Sequence, residues 1–176
     1  LLEAGCSMQI TDFIAAVVAA CKDEQGVSFK TAAEFTLGVA AKTSAADSVA
    51  ATAEANGTVA MYTDFAAAVV ADGKIIATLN DAIQPNITVN AAGEIVEKAF
   101  TATKRELKEN YNMAKYGQPN VEGGTVKEWY VQTKAFEEYV VGKTADEVKA
   151  IALQEVNGHK IATDEVLLNA GCTMQI

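Results

Sequence analysis

Residues 59–79, VAMYTDFAAAVVADGKIIATL, contain two apolar and partly β-branched runs that are separated by Asp72-Gly73. An Asp-Gly pair between two such runs is a strong hairpin signal, because the tight turn needs backbone conformations that Asp and Gly tolerate. The stretch therefore predicts two antiparallel strands, over residues 59–70 and 74–79.

The segments that flank this hairpin extend the same pattern. A turn pair at Ala92-Gly93 separates two short apolar runs, residues 86–90 and 94–96, and predicts a meander of three or four strands. Before the hairpin, residues 28–41 are rich in Thr, Phe and Val with partial alternation, which favours a strand. Residues 43–58 are small and polar, and they predict a long loop or an exposed ribbon.

The second half of the chain changes to helical periodicity. Residues 103–113 and 126–141 have apolar side chains at helical spacing, and each segment predicts a helix. Gly142 is a suitable helix stop, and a capping-box pattern that starts at Thr144 predicts a short helix over residues 145–150.

Residues 12–24 predict a further helix, because Thr11 and Asp12 are good capping residues and an alanine-rich and valine-rich run follows them. This helix is apolar around most of its circumference, so we expect it to be buried. Together the segments predict an α+β fold: an antiparallel sheet of four to six strands with three or four helices packed on it.

The chain also repeats itself. Its first ten residues, LLEAGCSMQI, return as residues 167–176, LLNAGCTMQI, with eight of ten positions identical. A match of this kind predicts a tandem array with a period of 166 residues. We therefore divide the chain into residues 1–25, equivalent to the carboxyl-terminal strand and helix of a preceding unit, and residues 26–176, one repeat domain. We do not expect the ends to be natural termini.

The position of the repeat boundary within the chain has a consequence for assembly. The next copy of the helix over residues 12–24 would follow Ile176, so the chain carries the helix of a preceding unit. Either that helix folds back onto its own chain, or it docks on a neighbouring copy as a swapped element and builds a homo-polymer. We expect contact between units at the repeated segment, through Ala4, Gly5, Cys6, Met8, Ile10, Ala170, Cys172, Met174 and Ile176.

Composition excludes several partners. The net charge is -9, from 14 basic and 23 acidic residues, with no basic cluster. Nucleic acid and anionic membrane surfaces would repel such a chain, so we expect neither as a partner. The longest apolar helical run, residues 13–21, is shorter than the roughly 20 residues of a membrane span, and we expect no membrane insertion.

Catalytic signals are weak. His159 is the one histidine, no metal-ligand spacing surrounds it, and hydrolase and nucleotide-binding motifs do not occur. We expect no enzyme and no metal site.

Trp129 and Phe136 lie at helical spacing, which is typical of core packing. If residues 1–10 form a strand before the helix, Cys6 and Cys21 lie at about the same distance from the turn between the two elements. A helix packs about 10 Å from a sheet, whereas a disulfide needs Cα atoms within about 7 Å. Two buried free thiols are therefore favoured over a disulfide.

The repeated segment and the helix after it, NAGCTMQITDFIAAVVAA across residues 169–176 and 11–20, resemble the carboxyl-terminal part of the FMN-binding domain family. In that family the pattern Asp-x-x-Ser/Thr-Gly-Ala-Thr holds the flavin, which is joined by a phosphoester to the last Thr, and an alanine-rich helix follows. The resemblance implies a flavin carried at Thr173, or at Ser7 in the earlier copy, beside Gly171.

This sequence departs from the family pattern at three positions. Ala170 stands in the place of Ser or Thr, Cys172 replaces the Ala, and Leu167 occupies the Asp position. A flavin-attaching enzyme that recognises those side chains would not find them here.

Two functions follow from the sequence. The first is a repeat module of a secreted or cell-surface protein of Gram-positive type, with a structural, filament-forming or adhesive role, no cofactor, and neighbouring copies of itself as partners. The alternative is an electron carrier of an extracellular redox protein, with FMN as its cofactor. A third possibility, an immunoglobulin-like pilin module with a Lys–Asn crosslink, is disfavoured by the number of predicted helices.

Overall fold

The protein's computed structural model describes residues 3, 5, 7–22, 26–99, 102–116, 126–156 and 159–174. In chain order its elements are α1 (Thr11–Lys22), β1 (Phe35–Ser44), β2 (Gly57–Ala60), β3 (Tyr62–Ala71), β4 (Lys74–Ile83), β5 (Asn86–Val89), β6 (Ile95–Ala99), α2 (Lys104–Leu107), a 3₁₀ turn (Lys108–Tyr111), α3 (Met113–Tyr116), α4 (Trp129–Val140), α5 (Ala145–Lys149), β7 (Leu153–Val156), β8 (His159–Ala162) and α6 (Glu165–Asn169). Helices and antiparallel strands both contribute, and the predicted α+β class is confirmed.

The first sheet has the strand order β1-β3-β4, and all its pairs are antiparallel. Its centre is the predicted hairpin, whose two-residue turn is Asp72-Gly73. Both turn residues have positive φ, 50° and 75°, as a primed hairpin turn requires. The hairpin prediction is confirmed for β3 and β4, and β4 continues beyond its predicted end to Ile83. The single strand predicted over residues 59–70 is wrong in its start, because Val59 and Ala60 belong to β2 of another sheet and β3 begins at Tyr62.

The remaining described strands form two further antiparallel sheets, ordered β2-β5-β6 and β7-β8. The predicted turn at Ala92-Gly93 is confirmed between β5 and β6, and Gly93 has a φ of 79°. The expected meander is divided between two sheets because Pro85 follows β4. Proline lacks the N–H that a ladder needs, so the chain leaves the first sheet there.

The strand predicted over residues 28–41 is displaced towards the carboxyl terminus. The observed β1 pairs residue by residue with β3, from Phe35 opposite Ala71 to Ser44 opposite Tyr62. The partner strand therefore decides where β1 begins and ends. The loop predicted over residues 43–58 is shorter than expected, because residues 43–44 belong to β1 and residues 57–58 belong to β2.

The helix predicted over residues 126–141 is confirmed as α4, and Gly142, with a φ of 85°, follows its end. The short helix after it is also confirmed. The Thr144 side chain accepts a hydrogen bond from the backbone N–H of Glu147, and the Glu147 carboxylate accepts one from the N–H of Thr144. The capping box thus forms as its spacing predicts.

The prediction of one continuous helix over residues 103–113 is wrong. It is divided into α2, the 3₁₀ turn and the start of α3. Lys108 and Asn112 have φ values of 48° and 56°, which an α-helix does not accommodate. Apolar spacing did not reveal these interruptions.

The core lies where β4, α4 and the carboxyl-terminal segment meet. Ala82 and Leu167 are 0% exposed, and Cys172 is 1% exposed in the same cluster. Trp129 is buried there and Phe136 packs against it, which confirms the expectation that these aromatics are core residues.

The helix α1 forms as predicted, but the expectation that it is buried is wrong. None of its residues is buried, and Phe13 and Val17 are 60% and 63% exposed. The strand β1 is exposed along its whole length as well. The apolar side chains of α1 therefore have no core within the described chain to enter. No helix in the described ranges is long and apolar enough to cross a membrane.

Candidate functional site

The carboxyl-terminal copy of the repeated segment is helical and then turns sharply. The helix α6 ends in a Schellman motif: the N–H of Gly171 donates to the carbonyl of Leu168, and the N–H of Cys172 donates to that of Leu167. Gly171 has a φ of 79°, as the motif requires. The strand that we expected across this segment is not formed over its described residues, 167–174.

One glutamine holds the end of this segment. Gln132 of α4 is 0% exposed, and its Oε1 accepts hydrogen bonds from the backbone N–H groups of Thr173 and Met174, both at 2.7 Å. The Thr173 hydroxyl lies 3.3 Å from the same oxygen. The Gln132 Nε2 donates to the carbonyl of Lys127 at 2.6 Å. Every polar atom of this buried amide thus has a partner, which fixes the segment on α4.

The residues beside this clamp are enclosed by their own chain. Cys172 carries a free thiol, and burial raises its pKa to about 11. Lys127 Nζ donates to the carbonyl of Ala170 at 2.7 Å. A buried thiol with a raised pKa is a poor nucleophile, because the thiolate is the reactive form.

The described residues of the amino-terminal copy lie in a different environment. Gly5 and Ser7 are exposed, Met8 is 59% exposed, and Ile10 is half-buried. Cys21 is exposed with a free thiol, so the expectation that it is buried is wrong. Ala4, Cys6 and Ile176, which we expected at a contact between units, lie outside the described residues.

A groove lies between the first sheet and α4, with a volume of about 270 Å³. Met174 contributes to its wall, so the carboxyl-terminal copy of the repeat reaches the groove. Its lining includes Ala40 of β1, Asp64 and Ala66 of β3, Thr133 and Phe136 of α4, and Met174. Its lining is mainly apolar.

A buried lysine lies next to the groove. Lys104 is 3% exposed, and its Nζ donates to the hydroxyl of Tyr62 at 2.9 Å. The same Nζ lies 4.4 Å, 4.6 Å and 5.3 Å from the ring centroids of Tyr62, Tyr111 and Trp129. Burial lowers the pKa of Lys104 to about 8, against the opposing charges of Asp64 and Asp81. Burial also raises the pKa of Asp64, and the positive charge of Lys104 counteracts that rise.

A buried ion pair lies on the other side of the same residues. Arg105 Nη2 and Glu137 Oε1 are 2.5 Å apart, and both side chains are largely buried. The backbone of Asn80 in β4 joins them: its N–H donates to Glu137 Oε1, and its carbonyl accepts from Arg105 Nε at 2.6 Å. The pair therefore connects α2, α4 and β4. Asn80 also lines the groove, and its Nδ2 is buried without a partner in the described chain.

Our sequence reasoning did not identify Lys104, Arg105, Gln132 or Glu137. One signal was available, because Glu137 lies eight residues after Trp129 and four after Thr133, and so shares the buried face of α4. Charged and amide side chains on a core-facing stripe indicate internal partners. The partners themselves come from distant segments.

Three residues were predicted to hold a flavin: Thr173, Ser7 and Gly171. Gly171 and Thr173 lie together in the clamped copy, whereas Ser7 is exposed in the other copy. The hydroxyl of Thr173 is directed at Gln132 rather than at an open surface.

Within the described ranges, no group of three or more His, Cys, Asp or Glu residues is arranged to hold a metal ion. His159 begins β8. Comparison of the chain with protein-family models, curated proteins and solved structures finds no match.

Proposed function

We propose that this chain is a repeat module of a secreted or cell-surface protein of Gram-positive type, with a structural, filament-forming or adhesive role. One observation carries the proposal: the two copies of the repeated segment occupy opposite environments. The carboxyl-terminal copy is clamped into the core, whereas α1 and the described residues of the amino-terminal copy are exposed, except for the half-buried Ile10. A segment that completes a core in one place and is unpartnered in another is suited to link units.

Energetics support the same role. Fully burying a large aliphatic or aromatic side chain is worth about 1.5–3 kcal/mol. Phe13, Ile14, Val17 and Val18 of α1 are 45–63% exposed, so about half of that free energy is still available for an association. Because head-to-tail contacts between copies need not close into a ring, the expected assembly is an open polymer.

The buried thiol, amine and ion pair also favour a structural role. The thiol of Cys172, the amine of Lys104 and the Arg105–Glu137 pair are all buried and held by internal contacts. Buried and fully partnered groups confer rigidity rather than reactivity. We therefore propose a role without catalysis, with neighbouring copies as the partners.

A chain of two periods tests this proposal. Residues 1–176 are continued directly by residues 11–176, so that the helix over 11–22 of the second period follows Ile176. The control inserts a Gly-Ser linker at that junction and leaves both units intact. We expect the direct chain to unfold at a higher temperature than the single unit and the linker control. Equal melting temperatures for all three chains would contradict a structural repeat.

One observation favours the flavin alternative. Met174 lines an apolar groove, and Thr173, the expected attachment residue, is its neighbour in the chain. The groove's volume of about 270 Å³ is just below the range of ligand pockets, which run from about 300 to 1,000 Å³. Intact-mass measurement of the chain purified from its native host decides between the two functions. A flavin mass that persists after denaturation, and that the substitution Thr173→Ala removes, would replace the structural proposal.

A further inference from the structure

The exposed helix α1 has two unlike sides. Its large apolar residues, at the spacing of one helical stripe, are Phe13, Ile14, Val17, Val18 and Cys21. The opposite side is mostly alanine. A helix of 12 residues is about 18 Å long and is marginal alone in water, so its stability depends on packing of such a stripe.

The floor of the groove has small residues beside a pair of charged ones: Ala40 and Ala66 line it, and so do Lys42 and Asp64 on the same face of the sheet. The small residues continue along that face beyond the groove. Ala40 lies opposite Ala66, and Gly38 lies opposite Ala68, in the pairing of β1 with β3. These residues share one face of the sheet, because successive side chains on a strand alternate between faces. Asn80 of β4 is opposite Ala66 and so lies on that face too. The helix α4 packs over β4, which leaves Gly38 and Ala40 of β1 exposed and Ala66 and Ala68 of β3 half-buried beside it.

Chain connectivity brings the next helix to this groove. In the amino-terminal copy, α1 begins at Thr11, three residues after Met8. Met174 is the equivalent of Met8, and it lines the groove. Three residues span at most about 11 Å, so the helix of a following unit must begin within that distance of the groove wall.

We propose that the groove between β1, β3 and α4 is the binding site for the helix α1 of a second copy of this chain, with the stripe from Phe13 to Cys21 against the small-residue floor. In an array, the occupant is the helix of the following unit. In the separate 176-residue chain, it is the α1 of a neighbouring molecule. This inference rests on the proposed repeat function and names the partner surface.

Two substitutions on one strand test the groove. Ala40→Glu places a carboxylate on the groove floor, and Val39→Glu places the same group on the opposite face, where Val39 is 75% exposed. Both positions are exposed, so both variants should fold. Sedimentation over a concentration series should show self-association of the unmodified chain, at least about tenfold weaker in Ala40→Glu because a charge would be buried there. Val39→Glu should associate as the unmodified chain does.

Crosslinking tests the occupant. Ala40→Cys, in a Cys6→Ser background, places a thiol on the groove floor that a short bismaleimide can join to Cys21 of another molecule. Cys172 is 1% exposed and should not react. We expect a ladder of linked chains, at least about tenfold faster than with Val39→Cys or with the background alone, because bound partners raise the effective concentration of the two thiols.

The outcomes separate this inference from the proposed function. A link within single chains would show that α1 folds back on its own molecule, and a faster ladder from Val39→Cys would place the contact on the other face. Either result overturns the inference and leaves the two-period experiment standing. Equal rates with Ala40→Cys, Val39→Cys and the background overturn it as well. If the two-period chain gains no stability while the Ala40→Cys ladder forms, the proposed repeat function is rejected and the contact between α1 and the groove of a second molecule is supported.

Discussion

Gly5 and Gly171 have the same backbone φ of 79° in opposite surroundings. They occupy the same position of the repeated segment. A Cβ at Gly5 would meet nothing within 4 Å, whereas a Cβ at Gly171 would lie 2.7 Å from Cδ and Cε of Lys127. The glycine at this position therefore has the same φ in both copies, and its surroundings differ.

Substitution of each glycine by alanine measures how much the packing differs between the two copies. Gly171→Ala should lower the free energy of unfolding by about 1–3 kcal/mol, since an L residue is strained at positive φ and the new methyl group would displace Lys127. Gly5→Ala should change it by less than about 0.5 kcal/mol, because the exposed segment can relax. Chemical denaturation of dilute protein gives both values. Equal losses would mean that the amino-terminal copy is packed as well.

The clamp on the carboxyl-terminal copy depends on one amide. Gln132→Met keeps the side-chain length but leaves the N–H groups of Thr173 and Met174 without acceptors. Because each unpaired buried group costs about 1–3 kcal/mol, we expect a loss of about 3 kcal/mol or more. Gln154→Met, on the exposed strand β7, is the matched control and should be nearly neutral. Urea unfolding followed by Trp129 fluorescence checks both variants, and similar losses would contradict the clamp.

Two glutamates on α4 differ in burial and should differ in energy. Glu137→Gln leaves the charge of Arg105 buried and unpaired, which should cost about 3–5 kcal/mol. Glu138 pairs with Lys134 at 4.0 Å on an exposed surface, so Glu138→Gln should change stability by less than about 0.5 kcal/mol. Thermal unfolding monitored by circular dichroism compares them. A small effect at both positions would show that the Arg105 pair is not what holds α2 to α4.

Stability should depend on pH through Lys104. Its pKa is about 8 in the folded chain and 10.5 ordinarily, so between these values the unfolded chain binds more protons. The contribution of Lys104 to the unfolding free energy therefore rises from pH 8 to pH 10.5, by about 3 kcal/mol at most.

The variant Lys104→Met isolates that contribution. Cys172 acts in the opposite direction between pH 9 and about 11, because its pKa is raised on folding. Subtracting the variant's stability from that of the unmodified chain removes the Cys172 effect from the comparison. We expect the difference to increase from pH 8 to pH 10.5, and a difference that stays constant would show that Lys104 is not buried as a charged amine.

The amino-acid sequence by itself determined the features that depend on neighbouring residues. Asp72-Gly73 specified a hairpin turn, Thr144 a capped helix, and Gly142 a helix end, because each acts through the backbone within a few residues. The repeat is likewise a property of the sequence alone. These predictions needed no knowledge of distant contacts.

Only the tertiary structure decided where those elements are buried. The apolar pattern of α1 predicted a core helix, but a pattern cannot say whether the core that receives the helix belongs to the same chain. Arg105 and Glu137, 32 positions apart, meet through the packing of α2 and α4 on β4. Hydrogen bonds of turns and caps are local, whereas burial is a relation between distant surfaces. The carboxyl-terminal copy of the repeated segment therefore contributes Leu167, Cys172 and Met174 to the core, whereas the described residues of the amino-terminal copy are exposed except for the half-buried Ile10.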